Sequence, residues 1–172
     1  MKLLEKYTRD EILAVTGYRP SKCPWGYDEE DERCLDMKNR LKDRLIQAFE
    51  DGYLVVMTGM ALGYDTIVAE MVLQLKKFYP KVKLFGALPC ENQDALWRDN
   101  QKARYKKILK QLDGTRCICK QYTGAECMLE RNYFMVDNCS RLIALFDGKP
   151  GGTKKTVDYA KSKGVKVEII EP

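Results

Sequence analysis

The chain contains no histidine. That absence removes Ser-His and Cys-His nucleophile pairs, imidazole metal sites and the commonest general base, so any catalysis must run on carboxylates, tyrosines, lysines or thiols. Also missing is an apolar run near the ~18 residues that would span a bilayer. The opening Met1-Lys2-Leu3-Leu4-Glu5-Lys6 turns charged before a signal-peptide core develops. No membrane partner is expected, and the expected location is cytoplasmic. The seven cysteines (Cys23, Cys34, Cys90, Cys117, Cys119, Cys127, Cys139) are odd in number and include no C-x-x-C pair. Neither a disulfide framework nor a zinc ribbon is signalled. No metal site is expected, and the thiols read as reduced, small buried hydrophobes. Low-complexity and disorder-type composition is absent too: the chain is 45% hydrophobic and 32% charged over 172 residues. That is a globular mixture long enough for one cored domain.

The formal charge is +5, and most basic residues stand beside acids. The exception is the stretch carrying Lys102, Arg104, Lys106, Lys107 and Lys110. A basic helix of this kind can touch nucleic-acid phosphates. Tyr105, Ile108, Leu109 and Leu112 supply an apolar stripe through it, which favours the plainer reading of a solvated amphipathic face. Nucleic acid is therefore not expected as a partner.

Short apolar runs alternate with helical periodicities along the whole chain. Strands are expected at Ile12–Thr16, Tyr53–Thr58, Val82–Leu88, Arg116–Lys120, Arg141–Phe146 and Val165–Ile170. A helix burying Cys34, Met37, Leu41, Leu45, Ala48 and Phe49 is stopped by Gly52. Further helices are expected over Thr66–Phe78, about Asp94–Leu112, Met128–Asn138 and Thr153–Lys163. Solidly apolar strands separated by helices imply a doubly wound, mostly parallel six-stranded Rossmann-like α/β sheet with helices on both faces. With no linker or repeat, residues 1–172 form a single domain.

In such sheets ligands bind beyond the carboxyl ends of the strands. The second strand leads into Thr58-Gly59-Met60-Ala61-Leu62-Gly63-Tyr64-Asp65, and the fifth into Asp147-Gly148-Lys149-Pro150-Gly151-Gly152-Thr153. Both are glycine-rich turns opening a helix, whose unpaired N–H groups and dipole favour an anion. A plain turn with Asp65 as N-cap is the alternative for the first. The first strand ends in Thr16-Gly17-Tyr18-Arg19-Pro20, where Arg19 offers a forked donor for phosphate, or else a partner for an acid in Asp28–Glu32. Arg131 and Asn132 fall in the helix before the fifth strand, within reach of the same crevice, and a solvated surface position fits their periodicity equally. Trp25 and Trp97 each invite stacking on a base, although tryptophan more often anchors a core.

The turn from Thr58 to Asp65 is similar to the G-G-A-x-G-x-D turn of the SLOG superfamily, which includes the DNA-processing protein DprA (Smf) and the Lonely-guy (LOG) cytokinin-activating enzymes. The opening Thr16-Gly17-Tyr18-Arg19-Pro20, paired with Pro89, Gln93 and Trp97 in a Pro-x-x-x-Gln-x-x-x-Trp stretch, resembles its YpsA-like branch over about residues 12 to 170. The resemblance implies a Rossmann-like fold that binds or senses a phosphate-bearing nucleotide or derivative (mononucleotide, NAD-like or ADP-ribose-like), often as a homodimer, with no required cofactor. The implied ligand shell is Gly17, Arg19, Gly59, Met60, Gly63, Asp65, Arg131, Gly151, Gly152 and Thr153. Arg131 stands where LOG enzymes place the arginine of a Met-x-x-Arg motif, here Met128 to Arg131. The LOG-like alternative is a nucleoside 5′-monophosphate phosphoribohydrolase using Arg131, Glu130 or Asp65. After Gly151-Gly152-Thr153, however, the enzymes' glutamate is missing and the nearest acid is Asp158. A DprA-like single-stranded DNA binder is the third expectation.

Overall fold

The computed structural model describes residues 2–172. Its strands are β1 (Ile12–Gly17), β2 (Val55–Thr58), β3 (Lys83–Leu88), β4 (Gly114–Cys117), β5 (Arg141–Leu145) and β6 (Lys166–Ile170). They form one sheet in the order β4-β3-β2-β1-β5-β6, and every neighbouring pair is parallel. The helices are α1 (Glu32–Glu50), α2 (Tyr64–Leu75), α3 (Asp99–Leu109), α4 (Ala125–Asp137) and α5 (Gly152–Ser162). This is the doubly wound α/β architecture that the alternating pattern predicts. Among the described residues no helix is long and apolar enough to cross a membrane.

The central strands are apolar on both faces because both faces are covered. Leu13, Ala14 and Val15 of β1, Val55 to Met57 of β2 and Leu142 to Leu145 of β5 are fully buried. Each large side chain among them contributes roughly 1.5–3 kcal/mol by leaving water. α1 places Cys34, Met37, Leu41, Leu45, Ala48 and Phe49 on one buried stripe, as their spacing requires. The Asp31 carboxylate caps it by accepting from the Arg33 amide at 2.9 Å. At its other end Gly52 N–H bonds Phe49 O (3.1 Å) and Tyr53 N–H bonds Ala48 O (3.0 Å), the paired bonds of a Schellman stop.

Two boundaries differ from the sequence expectation. The helix expected from about Asp94 begins only at Asp99, with Gln101 reaching back to the Arg98 amide at 2.9 Å. The preceding residues form turns held by a buried Gln93. The fourth strand is Gly114–Cys117 rather than Arg116–Lys120, so Cys117 and Cys119 do not share a strand face. The Asp113 carboxylate fixes that register by accepting from the Leu84 amide at 2.8 Å and from Lys76 at 2.6 Å.

Connections from β1 through β4 step one way along the sheet, and the chain then returns to place β5 against β1. Right-handed crossovers put α1, α2 and α3 on one face, and α4 and α5 on the other. The reversal of strand order lies between β1 and β5, which sites a crevice at their carboxyl ends.

Candidate functional site

A cleft of ≈ 170 Å³ opens at that reversal, bounded by Thr16 to Arg19 at the end of β1, Ala61 and Asp65 after β2, Met128, Arg131 and Asn132 of α4, and Gly152 and Thr153 at the start of α5. Three cationic side chains, Arg19, Lys22 and Arg131, line it with one carboxylate, Asp65.

Arg131 is the anchor. It is 4% exposed, and its Nη1 donates to the carbonyl of Gly59. Its Nε donates to Asn132 Oδ1 at 2.7 Å, Asn132 Nδ2 donates to Thr156 Oγ1 at 2.9 Å, and the Thr156 hydroxyl donates to Gly152 O at 2.9 Å. This chain of bonds runs from the turn after β2, through α4, to the first turn of α5. A Cβ on Gly59 would overlap the guanidinium, so that position must be glycine for Arg131 to dock. Burial pulls the Arg131 guanidinium below its ordinary value, with the Asp65 charge opposing the shift.

Asp65 is buried at 6% exposure. Its Oδ2 accepts from the Ala61 amide at 3.2 Å, while Oδ1 has no hydrogen-bond partner among the described residues. Burial raises its pKa, and the charges of Arg131 and Arg19 and the Ala61 amide act against that rise. The expected N-cap role is not what the fold uses. Gly63 is the N-cap, at φ +87, where a side chain would also crowd Pro20 Cδ (2.8 Å) and Tyr18 O (2.9 Å). Asp65 sits one residue into the helix and bonds backwards.

The turn after β2 also differs from an open anion nest. The Met60 amide goes to Thr58 Oγ1 (3.2 Å), that of Ala61 to Asp65, and that of Tyr64 to Tyr18 O (3.3 Å). Those donors are spent inside the protein. Gly59 is covered by Arg131, Met60 is fully buried, and Gly63 lies against the Tyr18–Pro20 segment. The turn supplies the Asp65 carboxyl and the docking carbonyl for Arg131 instead. α5 is the helix whose first residues, Gly152 and Thr153, face the cleft, and first-turn amides have no partner within their own helix. Gly151, its N-cap at φ +148, brings the backbone close to Lys22 Nζ.

From β1, Gly17 and Arg19 reach the cleft as expected. Arg19 is exposed and forms no ion pair among the described residues; its Nη2 contacts Met128 Sδ at 4.0 Å. The Tyr18 hydroxyl donates to the Asp147 carboxylate, and Lys149 pairs with the same group at 2.8 Å. Lys149 and then Tyr18 hold the Asp147 carboxyl down at about 2. Of the catalytic candidates, Glu130 is exposed and accepts from the Cys119 thiol at 3.3 Å, outside the cleft. Asp158 is exposed and pairs with Lys154. The basic stretch on α3 buries Tyr105 and Ile108, and Arg104 is held by Glu29 (2.6 Å) and Glu70 (2.7 Å), leaving an amphipathic face. Trp25 is a core residue.

Asn132 lines the cleft beside Arg131, and Lys22 joins it as a residue the sequence did not single out. Lys22 reaches the cleft only through the turn Pro20–Lys22, which no local pattern announces.

A second hollow of ≈ 370 Å³ adjoins the cleft, sharing Arg19 and Met128 with it and lined otherwise by Leu62, Gln93, Trp97 and Tyr122 among others. Trp97 packs edge-on against Tyr105 with ring centroids 5.1 Å apart.

The family model for YpsA, described as the YspA SLOG family, matches residues 13–171. A UPF0398 protein of Bacillus cereus is 32% identical over 157 residues, covering 90% of this chain and 84% of the relative. A UPF0398 protein of Bacillus thuringiensis (strain Al Hakam) has the same identity and coverage. Among solved structures, DNA processing protein A (DprA) from Streptococcus pneumoniae superposes with TM-score 0.64 at 20% identity, over 96% of this chain. The chain spans about half of that protein, 51%. DprA from Helicobacter pylori, whose structure concerns its single-stranded DNA binding mode, gives TM-score 0.65 at 18% identity, over 98% of this chain and 67% of that one. These two likenesses establish the fold.

Proposed function

The chain belongs to the YpsA branch of the SLOG family, and from that premise we propose that the cleft binds the phosphate of a nucleotide or nucleotide derivative, of the mononucleotide, NAD-like or ADP-ribose-like kind. The observation that carries this reading is Arg131. A guanidinium this deeply buried, with Asp65 the one carboxylate lining the cleft beside it among the described residues, favours an incoming anion. Arg19 and Lys22 add positive charge at the rim, and the start of α5 adds backbone donors. The ligand then ties together the segments after β1, β2 and β5.

The test is titration calorimetry and thermal unfolding with AMP, NAD, ADP-ribose and inorganic phosphate, alongside an oligothymidylate. Saturation at a hundred times Kd stabilises the fold by about 2.7 kcal/mol. Millimolar phosphate compounds that leave the unfolding temperature unchanged, with salt-sensitive binding of the oligonucleotide, would transfer the site to single-stranded DNA.

A glycosidic-bond hydrolase is the second reading, and Asp65 is the observation behind it. Its carboxyl is raised by burial and has one free oxygen, the condition of a group able to hold a proton near a ribose. Free base released from nucleoside monophosphates above an Arg131→Met control supports it; no release removes it.

A further inference from the structure

The cleft is too small to hold a whole nucleotide. At ≈ 170 Å³ it falls below the roughly 300–1,000 Å³ of small-molecule sites. The adjoining trough, at ≈ 370 Å³, supplies the missing space, and the two share a wall made by Arg19 and Met128. Their chemistry differs. The cleft is cationic, whereas the trough offers Leu62, Trp97 and Tyr122, surfaces suited to the flat apolar face of a heterocycle.

Gln93, on the trough wall, is 9% exposed. Its Nε2 is committed to Met60 O at 3.3 Å and to the Tyr105 hydroxyl at 3.0 Å, and it also approaches Gly59 O. Those carbonyls need a donor, which fixes the amide orientation and leaves Oε1 as the free end. Oε1 is buried and has no partner among the described residues. An orphaned buried acceptor costs free energy until a donor reaches it, and with Gln93 on the trough wall a ligand seated there can supply one.

We infer that the trough is the nucleobase subsite of the ligand whose phosphate occupies the cleft, and that Gln93 Oε1 accepts a hydrogen bond from an exocyclic amino group of that base. The inference rests on the phosphate reading and narrows it: the ligand is an amino-bearing nucleotide rather than a sugar phosphate. Gln93 also bonds the same turn that docks Arg131, since Gly59 O meets both side chains. Base and phosphate recognition therefore meet at one carbonyl.

The experiment compares calorimetric affinities for AMP, CMP and GMP with those for purine riboside 5′-monophosphate, ribose 5-phosphate and inorganic phosphate. One of the three amino nucleotides is expected to bind about tenfold or more tightly than ribose 5-phosphate. For AMP, replacing the amine by hydrogen is expected to lose about tenfold. Tyr122→Ala, at an exposed position that keeps the fold, is expected to weaken the nucleotide and leave ribose 5-phosphate unchanged. Ribose 5-phosphate binding as tightly as every nucleotide overturns the base subsite while the phosphate reading stands. Equal affinity for AMP and its amine-free analogue, with both above ribose 5-phosphate, overturns the role of Gln93. Failure of all ligands, inorganic phosphate included, overturns both readings together.

Discussion

Gly59 has no room for a methyl group, because the Arg131 guanidinium occupies the space its Cβ would take. Gly59→Ala must push that guanidinium off the Gly59 carbonyl, and overpacking of a buried site costs about 1–3 kcal/mol. The expected result is a loss of phosphate-ligand affinity of about tenfold or more by calorimetry; a variant that binds as the parent does would detach Arg131 from the site. Asp147 makes a second residue-scale prediction, concerning pH. Lys149 and Tyr18 hold its carboxyl at about 2, below the ordinary 3.8. With the folded value depressed, the stabilisation is complete above the ordinary value and is lost as pH falls from there toward about 2. The difference in urea midpoint between the parent and Asp147→Asn is therefore expected to be constant from pH 5 upward and to shrink below pH 4. A difference that grows on acidification would contradict the assignment. Glycine turns and the arginine were readable from residue order. Their division of labour was not: whether an amide faces a ligand or a neighbouring side chain depends on Thr58 and Asp65 closing back on their own turn.

At the scale of elements, α4 acts as the tie between two loops. Asn132 spends both ends of its amide, one on Arg131 and one on Thr156. Asn132→Ala leaves those buried partners unmade, at about 1–3 kcal/mol. Hydrogen exchange is expected to quicken first at the amides of α5 that follow Gly152, ahead of any change in β1 or β2. Uniform acceleration over the whole chain would mean that Asn132 only supports global stability. Elements with strong periodicity, such as α1 with its Cys34-to-Phe49 stripe, were legible to within a residue or two. The start of α3 was not. Asp94 to Arg98 is compatible with helix by composition, but burying Gln93 against Gly59, Met60 and Tyr105 requires turns there, and a tertiary bond of that kind has no local signature. β4 slipped for a related reason. Its alternating exposure gives a weak pattern, and its register is set by Asp113 on a different strand's amide.

For the molecule as a whole, alternation of strand and helix implies a parallel sheet, but strand order is invisible in it. The return of the chain from β4 to the far side of β1 creates the cleft, and nothing local announces it. The completed sheet separates two buried arginines by role. Arg131 sits at the carboxyl end, over the cleft. Arg141 sits at the opposite end, where it starts β5, is 3% exposed, and binds Glu168 (2.5 Å) and Asp51 (2.9 Å). Removing one partner of a buried ion pair costs roughly 3–5 kcal/mol. Glu168 retains Arg44 at 3.2 Å and Lys166 at 3.6 Å, which places Arg141→Met near the lower figure. Arg131→Met forfeits its bonds to Gly59 and Asn132 and is destabilising as well. Stability alone therefore does not distinguish the two, and affinity does. Arg141→Met is expected to lower the urea midpoint while ligand Kd stays within about twofold, whereas Arg131→Met raises Kd by about tenfold or more at a similar loss of stability. If both variants weaken the ligand in proportion to their loss of stability, binding reports only the folded fraction, and the carboxyl end of the sheet loses its claim to the site.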